Sequence, residues 1–492
     1  HCSVRRQRQM CIRDSLKTVA GISVLTPFST SFAEPLHDSH KTIKKAKNLI
    51  FLVVDGMGRG TLSLANNFSN RHFNAPLNWV QLMNHKHVYS SLQDTASFNS
   101  YVTDSAAAAS AWGCGVRVPN GRINVDAEGR SIEPIFSRAK SKGKAVGLVT
   151  TTSITHATPA GFAANAESRY DQETIAQQYL EREIDLLLGG GAQYFKDDNE
   201  ALLKRFEDKG YSVVQVLDDL IFNKNRSKLL GLFADGHLPY AIDRKNAQQY
   251  FSVPSLNEMF VVALENLQTS KNGFVLQVES GRVDHAGHVN DTGAIIEEQL
   301  EFDRCITTAI DFANQSPETL VIITTDHGCG GCQLNGIGHR YLDSNKGMDQ
   351  ILKQKASLEY IEKQFLKLGH PDKELFQSLM GVSLRDKDLK TIQSMLNNEY
   401  IREKYGFVAR DPHGDTSDSD DGKTAKSKSY FLADLAEYFQ EAQFESTGVS
   451  WTSHQHTSEL VDLMAYGPHA NALPSFMKNY ELNTFMCDAL NI

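Results

Sequence analysis

Carboxylates and histidines gather at three places in this sequence. The first is Asp55-Gly56-Met57-Gly58. The second spans Glu279, Asp284, His285 and His288. The third is Asp326-His327, joined far downstream by His454 and His456 in an HQHT segment. Mixed histidine and carboxylate sets suit Zn2+, whereas all-oxygen sets suit Mg2+. A fourth segment, Thr103-Asp104-Ser105 followed by a run of alanines, offers a nucleophile. The alanines favour a helix, and Asp104 or Ser105 falls at its N-terminus, where free backbone N–H groups attract a phosphate-like anion. Taken alone, that segment also reads as a plain helix cap. No G-x-S-x-G surrounds Ser105, so a Ser-His-Asp hydrolase is not supported, and the hydroxyl needs another activator, such as a metal ion.

These residues sit where strands should end. Short apolar runs stop abruptly at polar or glycine residues: Leu49–Val54 before Asp55, Ala145–Val149 before Thr150, Ile184–Leu188 before Gly189, Phe274–Val278 before Glu279, and Leu320–Ile323 before Thr324-Thr325-Asp326-His327. A sixth run, Leu460–Tyr466, precedes Gly467. Continuous apolar runs of this length suit strands buried on both faces, as in a parallel sheet. Helical patterns intervene at Ser131–Lys142, Asp171–Glu183, Ser255–Thr269 and Ile295–Ala313. The alternation predicts an α/β fold with a doubly wound, mostly parallel sheet. Ligands of such sheets bind beyond the carboxyl ends of the strands. Asp55, Glu279, Asp326 and His327 should therefore share one rim.

Composition is that of a globular chain: 492 residues, 41% hydrophobic and 22% charged, with net charge −9. The acidic balance argues against a nucleic-acid-binding domain, so an anion must be held by locally concentrated positive charge. Arg5, Arg6, Arg8, Arg13 and Lys17 precede an apolar stretch, Val19 to Phe28, and a small-x-small pattern at Ser31-Phe32-Ala33. This pattern predicts a signal peptide over 1–33 and a periplasmic or secreted protein, with Sec and Tat routes both open. No later run is long and apolar enough to span a bilayer. Cys329-Gly330-Gly331-Cys332 fits a local disulfide and a pair of thiols equally well.

Seven segments now carry a resemblance: VVDGMG, VTDSAAAASAW, ITHATPAGFAANAESRY, LLLGGGAQYF, VESGRVDHAGH, TTDHG and HQHT. In this order, from about Asn48 to Pro468, they resemble the alkaline phosphatases. The resemblance implies hydrolysis of small-molecule phosphate monoesters with Ser105 as the nucleophile, through a phosphoseryl intermediate. It implies two Zn2+ ions and one Mg2+. Asp284, His288 and His456 match the first zinc site, and Asp326 and His327, with Asp55 bridging, match the second. Asp55, Thr158 and Glu279 match the magnesium site. His456 is chosen over His454 because the family's ligand is followed by threonine. Arg169 matches the arginine that grips phosphate, and a planar guanidinium suits two phosphate oxygens. His156 and His285 stand where the family varies and are expected to lie just behind the magnesium ligands. A homodimer is a further implication.

The resemblance places one catalytic domain over 34–492, with 333–450 as a large insertion, a lid or an oligomer contact. Within it, helix-like segments occur near 348–368 and 385–404, followed by a polar run over 411–429 that lacks EF-hand spacing. Two other readings compete with a monoesterase. One is a phosphodiesterase or sulfatase of the same superfamily, although the C-x-P-x-R-type cysteine of sulfatases is absent around Ser105. The other is an exported protein that binds metal or phosphate without catalysis.

Overall fold

The computed structural model describes residues 44–196, 201–223, 226–397 and 429–492. The signal-peptide reading over 1–33 and nearly all of the polar run over 411–429 lie outside them. Ten strands form the central sheet: β1 (Asn48–Val54), β2 (Val88–Asp94), β3 (Ala145–Ser153), β4 (Leu186–Gly190), β5 (Ser212–Val214), β6 (Leu229–Leu232), β7 (Phe274–Ser280), β8 (Thr319–Thr325), β9 (Val461–Tyr466) and β10 (Phe476–Lys478). Their spatial order is β10-β2-β9-β8-β1-β7-β3-β4-β6-β5. Every residue of β1, β7 and β8 is buried, because helices cover both faces of the sheet. Alternate side chains of β1 feed two cores: Ile50, Leu52 and Val54 join one, and Leu49, Phe51 and Val53 the other.

β1 pairs in parallel with β7 and β8, and β3 pairs in parallel with β7. The carboxyl ends of these neighbours therefore lie side by side. The sixth apolar run departs from the parallel expectation, since β9 is antiparallel to both β8 and β2. The reason is positional. Residues after β1, β7 and β8 reach the carboxyl rim, whereas His456 precedes its strand, so β9 must start at that rim and run the other way.

The helices used below are α1 (Arg59–Phe73), α2 (Ser105–Cys114), α3 (Ala157–Ala163), α4 (Arg282–His288), α5 (Thr292–Gln315), α6 (Ser344–Ile351), α7 (Leu358–Leu368), α8 (Lys373–Met380), α9 (Asp386–Asn397) and α10 (Ser429–Thr447). The helix expected from Ser131 begins only at Ile135, because Pro134 occupies the cap and the preceding residues are extended. The segment near 348–368 resolves into α6 and α7, with Ser357 capping the second by accepting from Tyr360 N. Leu358, Ile361, Phe365, Phe376, Met380, Ile392 and Phe439 pack into a third core. Helices α7 to α10 thus share an apolar core of their own.

A buried charge ties that core to the sheet. Arg282, 1% exposed, donates from Nη2 to Glu359 on α7 and from Nη1 to His285 Nδ1 at 2.8 Å, and its guanidinium lies 3.7 Å from the Tyr240 ring centroid. Lys363 Nζ approaches the same carboxylate at 2.6 Å. Burial alone would raise the Glu359 carboxyl, but Arg282 and Lys363 hold it down to about 2. A carboxyl held low stabilises the fold above its unfolded value of 4.5 and loses that contribution as pH falls toward 2. Glu359→Ala should therefore destabilise the protein by about 3–5 kcal/mol at neutral pH, since it strands a buried guanidinium. Denaturant melts across pH should show this deficit shrinking between pH 4.5 and 2. A deficit that stays constant over that interval would remove the ion pair as its cause.

Candidate active site and metal centres

At the carboxyl rim, β1 runs directly into Asp55 and then Gly56, whose φ of +76° suits glycine. A side chain at Gly56 would place its Cβ 2.6 Å from Asp284 Cα, so the two loops meet closely only because it is absent. Gly56 N donates to Asp326 Oδ1 at 3.0 Å, and His327 N donates to the same oxygen at 2.9 Å. Those bonds turn Asp326 Oδ2 into the site, where it is buried without a hydrogen bond. Glu279 Oε1 is likewise buried and accepts none. Buried carboxylate oxygens left in this state call for a cation.

Ser105 opens α2, capped by Asp104 Oδ1, which accepts from Ala107 N at 2.9 Å. Ser105 is 1% exposed, and its Oγ lies 3.4 Å from both Asp55 Oδ1 and His327 Nε2. His327 Nδ1 lies 3.3 Å from Gly328 O. A carbonyl only accepts, so Nδ1 carries the hydrogen and Nε2 faces Asp326 Oδ2 at 3.1 Å and Asp55 at 3.6 Å.

The same logic governs the neighbouring cluster. His288 Nδ1 lies 2.6 Å from His454 O, and His456 Nδ1 lies 2.8 Å from Thr103 O. Each ring commits its hydrogen to a carbonyl, yet the two Nε2 atoms face each other at 2.9 Å. Asp284 stands 3.3 Å from one and 3.5 Å from the other. Two imidazole lone pairs aimed together beside a carboxylate need a shared proton or a metal ion between them. Burial opposes charging His288, but Asp284 raises its pKa above the ordinary value. His456 is pushed down to about 4 by burial and by His327. His454 turns away from the cluster, with Nδ1 2.8 Å from His288 O.

Three groups of ligand atoms lie within 4.8 Å of one another: Asp284, His288, Cys329 and His456; Asp55, Asp326 and His327; and Asp55, His156 and Glu279. Thr158 Oγ1, on α3, is 3.2 Å from Asp55 Oδ2 beside the third group. Burial raises the Asp55 carboxyl well above its ordinary value, and Asp326, Asp284 and Glu279 push it further. Glu279 is raised to about 7 by burial, against the hydroxyl of Thr150.

Arg169 reaches the site from the chain after α3. Its Nη1 donates to Asp104 Oδ2 at 3.1 Å and its Nη2 to His156 Nε2 at 3.0 Å. His156 Nε2 is then an acceptor, so Nδ1 carries the hydrogen and points toward Glu279 at 4.0 Å. His285 is fully buried, its Nδ1 turned to Arg282. Its ring lies 5.7 Å from that of His156 and 4.4 Å from that of His237. The sequence reading did not single out His237, in the loop after β6, and gave Cys329 no place in the site. Cys329 and Cys332 are buried free thiols, which settles the open alternative against a disulfide.

Carboxylate and histidine clusters around a serine hydroxyl, at the carboxyl rim of an α/β sheet, define a metal-binding hydrolase. The family model for alkaline phosphatase matches residues 46–492. Alkaline phosphatase 4 of Bacillus subtilis is 32% identical over 489 residues, covering 95% of each chain. The repressible alkaline phosphatase of Saccharomyces cerevisiae is 31% identical and covers 86% of this chain and 76% of its own. The crystal structure of Thermus thermophilus alkaline phosphatase superposes with a TM-score of 0.79 at 35% identity, covering 91% of this chain and 92% of the other. The chain belongs to the alkaline phosphatase family, and it is a phosphatase.

Proposed function

We propose that the protein hydrolyses phosphate monoesters through a phosphoserine at Ser105. The observation that carries this reading is the Ser105 hydroxyl at the N-terminus of α2, 3.4 Å from both Asp55 and His327 of one ligand group. Asp284, His288 and His456 would hold one zinc ion; Asp55, Asp326 and His327 a second; Asp55, Thr158 and Glu279 a magnesium ion. Bound there, the cations would neutralise phosphate oxygens and lower the pKa of a hydroxyl and of a water. An all-oxygen third set is supported by His156, whose acceptor nitrogen is taken by Arg169 and whose other nitrogen carries the hydrogen.

The chain's own groups do the rest. Arg169, fixed between Asp104 and His156, presents its guanidinium to two phosphate oxygens. The first N–H groups of α2 face the same anion. Ser105 Oγ attacks phosphorus in line as the ester oxygen leaves, and water then opens the phosphoserine from the opposite side. His285 and His237 pack behind His156 and fix its ring.

The basic start and apolar run of the sequence support export to the periplasm or medium. No helix among the described residues is long and apolar enough to cross a membrane.

Phosphate release from an aryl monoester should stop on chelation and return with zinc and magnesium. Arg169→Ala should lower kcat/KM for the monoester about a hundredfold, and less for a singly charged diester. Absence of turnover with both metals supplied would defeat the reading. Preference for the diester would replace the substrate class.

A further inference from the structure

Cys329 was assigned no role above, yet its Sγ belongs to the same 4.8 Å group as the ligand atoms of Asp284, His288 and His456. Three observations place it there by design of the backbone. Gly328–Cys329 pairs antiparallel with His456–Thr457, and Cys329 stands directly opposite His456. Directly opposed residues of a ladder project their side chains to one side. On the facing helix α4, Asp284 and His288 lie one turn apart, and between them Gly287 leaves room for the sulfur. A Cβ at Gly287 would fall 2.9 Å from Cys329 Cβ and 3.1 Å from its Sγ. The cysteine is 1% exposed and is not oxidised to a disulfide with Cys332.

We propose that Cys329 is a fourth protein ligand of the first metal position, so that Asp284, His288, His456 and Cys329 together form a sulfur-containing zinc site that would take water or phosphate as a fifth ligand. The proposal rests on the metal reading of that cluster given above. The donor separations already on hand, 2.9, 3.3 and 3.5 Å, suit nitrogen and oxygen ligands about 2.0–2.2 Å from a common centre. On coordination the thiol proton is released to solvent, and the sulfur lone pair forms the bond. Thiolate is a soft donor that favours Zn2+, Co2+ and Cd2+ over Mg2+, Mn2+ and Ca2+. Its consequence is selectivity: the first position rejects hard cations that an Asp-His-His set alone would admit.

Cobalt(II) titration of the full-length protein tests this without reference to activity. Cobalt should produce visible d–d bands and, with them, a near-ultraviolet sulfur-to-cobalt charge-transfer band. Cys329→Ser should abolish the charge-transfer band and keep the number of cobalt ions bound at saturation, which also shows that the site still folds. Cys332→Ser should keep both. Zinc retention against a chelator should weaken at least about tenfold in Cys329→Ser and not in Cys332→Ser. Cobalt binding with d–d bands but no charge-transfer band in the wild type overturns the thiolate ligand and leaves the metal reading standing. A charge-transfer band that survives Cys329→Ser overturns it as well. A wild type that binds no cobalt overturns both.

Discussion

Ser105→Ala is expected to lower kcat for an aryl phosphate by at least about a thousandfold while leaving fold and metal content intact. The substitution is structurally mild. Ser105 starts a helix that continues as four alanines, and Asp104 still caps it by accepting from Ala107 N. What disappears is a hydroxyl oxygen 3.4 Å from both Asp55 and His327. Rapid acid quenching should trap a phosphorylated protein in the wild type and none in the variant. Metal analysis should be the same for both. A variant retaining a tenth of wild-type kcat, or still trapping phosphate, would move the nucleophile away from Ser105.

Asp55→Asn should act with opposite signs in the two metal states. Asp55 is fully buried, and burial together with the carboxylates of Asp326, Asp284 and Glu279 raises its pKa well above 3.8. A carboxyl raised in this way stabilises the fold fully only below its unfolded pKa, and that contribution is lost as pH climbs toward the folded value. Asparagine escapes that loss. In excess chelator the variant should therefore be more stable than wild type at neutral pH and equal to it in acid, below 3.8. With zinc and magnesium present the order should reverse, because one residue is removed from two ligand groups at once. Activity should fall by about a thousandfold or more. Thermal unfolding at several pH values, with chelator and with metal, reads both effects. Equal destabilisation in both states would mean that Asp55 is a packing residue and not a cation ligand.

The rim was legible because strands buried on both faces leave an unmistakable trace: an apolar run that halts at the residue facing the ligand. Asp55, Glu279, Asp326 and His327 were placed this way, before any resemblance was considered. His156 and Arg169 needed the resemblance, since neither ends a strand. Their mutual hydrogen bond depends on how the chain after α3 folds back, which no local pattern encodes. The antiparallel direction of β9 was not legible, because an apolar run carries no polarity; only the position of His456 ahead of it does. His237 was passed over because β6 is four residues long and its trace is faint. Cys329 was hidden for a different reason. Its neighbours in the site, Gly287 and His456, are brought to it by a helix and by a two-residue ladder, both remote in sequence. The break between α6 and α7 was marked by Ser357, but an amphipathic pattern running on either side concealed it.

The 333–450 segment leaves the rim through Gln333–Leu334 and returns through Val449–Ser450, and these two pieces pair with each other. Its ends are therefore stapled together whatever lies between them. Lengthening such a loop costs little in chain entropy, about 0.6 kcal/mol for each doubling, and shifts no strand of the sheet. This is the geometry of an exchangeable cassette: its length can change without re-registering the carboxyl rim of the sheet. One constraint on such an exchange lies at Arg282. A replacement cassette must bring a carboxylate to the place of Glu359, or leave a buried guanidinium unanswered on the helix that carries Asp284 and His288.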